Sequence, residues 1–233
     1  MTGSTVMLNA DEIRVALGHP EEHDDRLAIV PTPRIDGLVS RGGTSVDLRL
    51  GRWFRSFKPS KSSEAKLWLE PEVQPVHADK NGLPSERQWA LPARDAVRTN
   101  EHFVPFGQNF VLHPGRFVLG VTMEWLSLPR TLSGYVSGKS SLGRHGLVIE
   151  TAAGLHPGFS GCLTLELANV GEVPVAISPG MEICQIFLHR VAKSKSDDRG
   201  TFSGQRKPAI SLPKHDSVFD RLRGVAPPAG PSG

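Results

Sequence analysis

The sequence predicts an all-β fold, a sandwich or distorted barrel, entered through one short N-terminal helix and left through a flexible C-terminal tail. Short β-rich runs follow one another from about Leu27 to Val191, each closed off by Gly, Pro or Asn. Apolar residues alternate most clearly at Leu163, Leu165 and Leu167, which would face a core while Thr164, Glu166 and Ala168 face the other side. No internal repeat of solenoid period is present.

Taken in order, "LNADEIRVAL" sets apolar residues at Leu8, Ile13, Val15, Ala16 and Leu17, with Asn9 or Asp11 available as a cap, and predicts the helix. The texture changes at "LAIVP". "TSVDLRLG", "RWFRSF", "NFVLHPGRFVLGVTMEWLSLP", "LSGYVSG", "GLVIETA", "GCLTLELANVG", "VPVAISPG" and "EICQIFLHRV" then read as strands between turns, the spacing of a sandwich or barrel. Residues 60–100 are polar and broken by prolines, a long excursion over the barrel. The β domain would span 1–191. Residues 192–233 are low in core formers and form the tail, in which "SVFDRLRG" has room for a turn or two of helix.

At 233 residues the chain holds one substantial domain, or one with extensions. Charged residues at 22% and hydrophobic ones at 38% are ordinary soluble composition. A formal charge of +3 is too small to argue for a nucleic-acid surface, but suits a small anion held by a few Lys and Arg. Cys162 and Cys184 make neither a metal-ligand spacing nor a disulfide framework, so a reducing cytoplasm is expected. The start "MTGSTVMLNADEIRVAL" lacks the basic region and apolar core of a signal peptide. No apolar run approaches the ~20 residues that span a bilayer, and no membrane partner is expected.

"LSGYVSGKSSLGRHGL" contains the Gly-Lys-Ser that ends a phosphate-binding loop. The first glycine of G-x-x-x-x-G-K-[ST] would fall at Ser133; Gly134 is one place off. Such a loop must also open a helix toward the phosphates, whereas "SSLGRHGLVIETAAG" reads as turn and strand. The usual phosphate loop is therefore rejected. Nine histidines invite a zinc site, but H-E-x-x-H and the H-x-E…P-C-x-x-C pattern are both missing, so the scattered histidines read as structural. "GFSG" at Gly158–Gly161 is one residue short of a serine-hydrolase elbow.

A polar cluster remains: Lys139, Ser140, Ser141 and Arg144, followed by "HPGFSGCLTLE". Hydroxyls and cations at this density suit phosphate oxygens, which accept several charge-assisted hydrogen bonds at once. A polar hairpin turn would have the same composition. Glu166 is the one acid inside an otherwise apolar strand. On an exposed face it would be unremarkable; where a barrel closes against neighbours it would lie in a pocket, poised for proton transfer near neutrality.

Together these segments resemble the dCTP deaminase family of the dUTPase-like superfamily. "SGKSSLGRHGL" is similar to that family's G-[RK]-S-S-L-[AG]-R-x-G-L block. "HPGFSGCLTLELANVGEVPVAISPGMEICQIF" is similar to its P-G-[FW]-S-G-x-[IL]-x-L-E block and the P-G-M-x-I-x-Q-L turn that follows. The likeness runs from about Leu8 to Val191. It implies a dUTPase-like distorted barrel or jelly roll, a homotrimer with sites between subunits, and hydrolysis of dCTP to dUTP and ammonia. Glu166 would be the catalytic acid/base, with Arg144 and Ser140 organising it and the water at C4. Lys139, Ser140, Ser141 and Arg144 would meet the nucleotide, and the strand at Thr164, Leu165 and Glu166 would read the base through its backbone. Gln185 would contact phosphate from a neighbouring chain. "GTFSGQRKP" resembles the lid, with Phe202 and Gln205 folding over the nucleotide. The resemblance implies Mg²⁺ carried on the triphosphate, no zinc, and no metal at the reaction centre.

Two features depart from the family. His156 stands before Pro157, where the family places an aspartate at the deoxyribose 3′-hydroxyl, and the run before it is one residue shorter. This bears on sugar recognition and weighs against further hydrolysis of dUTP. The tail also continues past the lid-like segment as "AISLPKHDSVFDRLRGVAPPAGPSG". The alternatives to a plain deaminase are a bifunctional enzyme yielding dUMP and a trimeric nucleotide-binding protein without activity.

Overall fold

The computed structural model of the chain describes residues 7–40, 42–58, 99–150, 154–193, 203–210, 218 and 222. The chain divides into two compact units, Met1–Phe57 with Thr99–Ala209, and Lys58–Arg98 with Ile210–Gly233. Nearly all described residues belong to the first. The excursion read at 60–100 lies outside the described residues except for its last two positions, and "SVFDRLRG" except for Val218 and Leu222, both helical and exposed.

Helix α1 (Ala10–Gly18) starts where the sequence places it. Asn9 accepts a hydrogen bond from the Glu12 amide, and Glu12 accepts one from the Asn9 amide, both at 3.0 Å. This reciprocal pair satisfies two donors that the first turn leaves free. Ile13 and Ala16 turn inward and Val15 turns out.

β1 (Ala28–Val30), α2 (Asp36–Ser40), β2 (Ser45–Arg49) and β3 (Trp53–Phe57) follow. After the second unit come β4 (Thr99–Phe103), β5 (Phe110–Leu112), β6 (Phe117–Val121), β7 (Trp125–Ser127) and β8 (Leu132–Gly138). A single helical turn, α3 (Ser140–Gly143), leads to β9 (Leu147–Glu150), β10 (Gly154–Leu155), β11 (Ser160–Gly161) and β12 (Thr164–Asn169). β13 (Val175–Ile177) and β14 (Glu182–Arg190) complete the set. The described strands form sheets of five (β4-β3-β6-β12-β9), four (β10-β8-β14-β2), three (β1-β7-β11) and two (β13-β5), not one closed barrel.

The core is shared by the two larger sheets. Val46 and Leu48 of β2, Ile186 and Leu188 of β14, Phe54 of β3, Val118 of β6, and Leu165 and Leu167 of β12 join in one cluster. The predicted alternation on β12 is the observed one: Leu163, Leu165 and Leu167 are buried, Thr164 and Ala168 half-buried, Glu166 exposed. β14 breaks the period-2 rule once. A register shift between Glu182 and Cys184 lets Ile183 and Cys184 both face inward, as an extra residue in one strand does.

Candidate functional site

Lys139 lies between the end of β8 and the start of α3. The segment expected as a turn is a short helix: the amides of Gly143 and Arg144 donate to the carbonyls of Lys139 and Ser140. No side chain caps it, and it is only four residues long, so it gathers little of the dipole that a phosphate loop uses. Ser140, Ser141 and Arg144 are exposed. The Lys139 ammonium reaches back to the sheet, 2.9 Å from Asp47 Oδ1 on β2 and 2.8 Å from Glu182 Oε2 on β14. Those two acids hold its pKa above the usual lysine value against the opposing effect of desolvation, which is the largest single influence. Gln185 sits opposite Asp47 on one side and Ser137 on the other, and its side-chain oxygen accepts from Ser45 at 3.1 Å. Lys139 and Gln185, both expected from sequence, thus meet three residues that were not: Ser45, Asp47 and Glu182. Asp47 is the one acid of "SVDLR", on the face away from Val46 and Leu48, as Glu166 is of "TLELAN", and that signal was available.

Glu166 lies on the other large sheet. Opposite it stand Leu119 of β6 and Glu150 of β9; beyond Leu119, the same row continues through Arg55 of β3 to Glu101 of β4. Its carboxylate is exposed and makes no hydrogen bond or ion pair with another described residue. Glu150 thus sets a like charge directly across from Glu166, a pairing that repels. Leu165 is fully buried and offers only its backbone. Arg144 and Ser140 make no side-chain contact to Glu166 among the described residues. His156 is exposed, its carbonyl accepting from the Phe159 amide at 3.1 Å.

Residues 203–209 lie along the start of β12 in the same chain. Gly204 donates to the Ser160 carbonyl (2.7 Å), Cys162 donates to the Gln205 carbonyl (2.9 Å), and the Ala209 amide donates to Thr164 Oγ1 (3.4 Å). Lys207 places its ammonium 3.8 Å from the centre of the Trp53 ring and 3.2 Å from Glu101; Arg206 covers Trp125. The strap therefore meets the start of β12, the strand that carries Glu166. Gln205 Oε1 is buried without a partner. Phe202, the other expected lid residue, lies outside the described residues.

Three buried titratable groups surround these sites. Burial raises the carboxyl of Glu124, which nonetheless accepts from the Arg49 amide at 2.8 Å. Burial also raises the Cys162 thiol and pushes Cys184 up to about 12, so neither serves as a thiolate nucleophile near neutral pH. A cavity of about 1180 Å³ is lined in part by Arg14, Asp36, Asp47, Arg49, Glu124 and Glu182. It borders the Lys139 cluster and not Glu166, so within one chain the large cavity and the exposed acid are apart. No group of three or more His, Cys, Asp or Glu residues gathers among the described residues. Asp47 and Glu182 are hard oxygen donors of the type Mg²⁺ takes, few enough that most of its shell would come from phosphate and water. No helix among the described residues is long and apolar enough to cross a membrane.

A family model described as dCTP deaminase-like matches residues 19–191. A "dCTP deaminase, dUMP-forming" of Nocardia farcinica is 39% identical over 186 residues, covering 77% of this chain and 80% of that protein. One of Mycolicibacterium smegmatis is 37% identical over 193 residues, covering 80% and 87%. A "dCTP deaminase" of Natronomonas pharaonis is 38% identical over 182 residues, covering 75% and 82%. The crystal structure of 2′-deoxycytidine 5′-triphosphate deaminase from Agrobacterium tumefaciens is similar at a TM-score of 0.51 and 22% identity, covering 81% of this chain and 49% of that one. That likeness bears on the fold.

Proposed function

The chain belongs to the dCTP deaminase-like family, and from that premise we propose that it hydrolyses dCTP to a uracil nucleotide and ammonia, with Glu166 as the proton carrier. The observation that carries this is the state of Glu166: the one acid on β12, exposed, without a partner and beside the strap. Glu166 takes a proton from a water as its oxygen bonds to C4. It delivers that proton to the ring nitrogen, then takes the proton of the new C4 hydroxyl and passes it to the amine, so that the C4–N bond breaks, ammonia leaves and the C4 carbonyl forms. Arg144 and Ser140 hold the water and carboxylate in line. Lys139 and Ser141 meet phosphate oxygens, Gln185 contacts them from a neighbouring chain, and the main chain at Thr164 and Leu165 reads the base edge. Gln205 and Phe202 belong to the lid. Mg²⁺ would be carried on the triphosphate through its phosphate oxygens, with Asp47 a hard oxygen donor beside Lys139.

The enzyme we infer is a cytoplasmic homotrimer. Within one chain Lys139 follows β8 of the four-stranded sheet while Glu166 stands on the five-stranded one, and among the described residues no contact joins Arg144 to Glu166. A site shared between copies brings such halves together.

A second reading differs in the product. Relatives from Nocardia and Mycolicibacterium carry the name dUMP-forming, which favours a bifunctional enzyme that goes on to cleave the triphosphate. His156, at the sugar position, weighs the other way. Incubation with dCTP, CTP and dUTP in Mg²⁺, followed by nucleotide chromatography and ammonia assay, separates them. Production of dUTP alone supports the deaminase, and dUMP supports the bifunctional enzyme. Unchanged nucleotides would sink both and leave a binding protein.

A further inference from the structure

Lys139 is not free to receive an anion as it stands. Two of its three N–H bonds point at Asp47 and Glu182. Glu182 is itself held from behind: its second oxygen accepts from Arg49 Nη2 at 3.0 Å, and Arg49 Nη1 donates to the Gly180 carbonyl at 2.8 Å. Two acids and two bases cancel, so the cluster has no excess positive charge with which to attract a triphosphate. Nor does the network serve chiefly to stabilise the fold. The side chains of Lys139, Asp47 and Glu182 are 24%, 38% and 41% exposed, and ion pairs that wet contribute about 0–1 kcal/mol. They are correspondingly cheap to exchange. A phosphate offers more charge and three acceptor oxygens to a flexible lysine, and Arg49 can keep Glu182 once the ammonium turns away.

Resting on the nucleotide reading above, we propose that Glu182 is a specificity-setting residue: it occupies Lys139 as a resident counter-anion that only a polyphosphate displaces. Nucleotide affinity is then set by competition at Lys139, and nucleosides without phosphates gain nothing from removing Glu182.

The test uses the full chain and two probes, inorganic tripolyphosphate by calorimetry and dCTP by steady-state kinetics. E182Q binds tripolyphosphate roughly twofold to fivefold more tightly than wild type, the range expected when one exposed ion pair no longer competes. The gain shrinks as salt rises, and KM for dCTP falls in step. In K139Q the E182Q substitution brings no further gain, because the coupling is between those two residues. A merely structural Glu182 would lower the melting temperature and leave affinity and KM where they are, and that result overturns the proposal. The two readings fail separately. Tighter tripolyphosphate binding by E182Q in a protein that releases no ammonia from dCTP keeps the gate and removes the enzyme; active enzyme with unchanged affinity does the reverse.

Discussion

At the scale of single residues, proton transfer and pH response rest on carboxylates in opposite environments. Glu166 is exposed and unpaired on β12, so Glu166→Gln removes the base without disturbing a contact. We expect turnover of dCTP to drop by about 10²–10⁴, the range for a lost general base, while binding persists. An ammonia assay alongside calorimetry with dCTP checks both halves, and turnover within a few-fold of wild type would remove the role. Glu124 behaves otherwise. Burial raises its folded-state pKa above the unfolded value, so the folded chain holds that proton more tightly. Its contribution to stability is present below the unfolded carboxylate value, near pH ~4.3, and is lost as pH climbs through the folded value. Glu124→Gln keeps an oxygen for the Arg49 amide but has no charge to desolvate. Its urea midpoint relative to wild type should therefore rise between pH 4 and pH 7; a difference independent of pH would count against this. Glu166 was legible because one acid interrupts an apolar strand. Glu182 was not, because its meeting with Lys139 and Arg49 depends on how β2, β8 and β14 are registered across the sheet.

At the scale of elements, the long strands were legible from alternation and the short pieces were not. β10 and β11 have two residues each, too few to show a period, and α2 is a five-residue turn of "DGLVS". β4, "TNEHF", is polar and forms an edge, paired on one side only to β3, so no apolar pattern marks it. At α3 the sequence predicts a turn, because Gly143 and Gly146 fall within four residues ahead of a β-branched run; its hydrogen bonds are nonetheless helical. The resemblance marks "GTFSGQRKP" as lid-like, but the seat of residues 203–209 depends on a backbone approach that sequence does not display. Gly161 has φ +155°, and a Cβ there would stand 3.3 Å from the Gly204 nitrogen and 3.4 Å from the nitrogen and oxygen of Gln205. Gly161→Ala should therefore lift residues 203–209 from β12. Amide hydrogen exchange reads this at Cys162, whose amide donates to Gln205. We expect exchange there to quicken by about tenfold or more as the local opening becomes easier. Unchanged protection at Cys162 would show that the strap is not held at this glycine.

At the scale of the whole molecule, the chain carries its candidate chemistry in two places. Lys139, Asp47, Glu182 and Gln185 gather at the sheet of β2, β8 and β14, and Arg144 follows one turn later. Glu166 lies exposed on the five-stranded sheet, two residues past Thr164, where residues 203–209 meet β12. Among the described residues nothing joins the acid to the arginine expected to orient it, which is why a cyclic assembly with contacts between unlike faces suits this protein. That assembly makes a prediction a one-chain site cannot mimic. Glu166→Gln and Arg144→Ala proteins, each inactive alone, are unfolded together in equal amounts and refolded so that their subunits mix. If each site draws its glutamate from one chain and its arginine from the next, random mixing gives about a quarter of the sites both native residues, and about a quarter of wild-type turnover returns. If each chain holds a complete site, every site in the mixture lacks one group and no activity returns. Light scattering on the same samples establishes that mixed oligomers formed, so silence in the assay would count against a shared site.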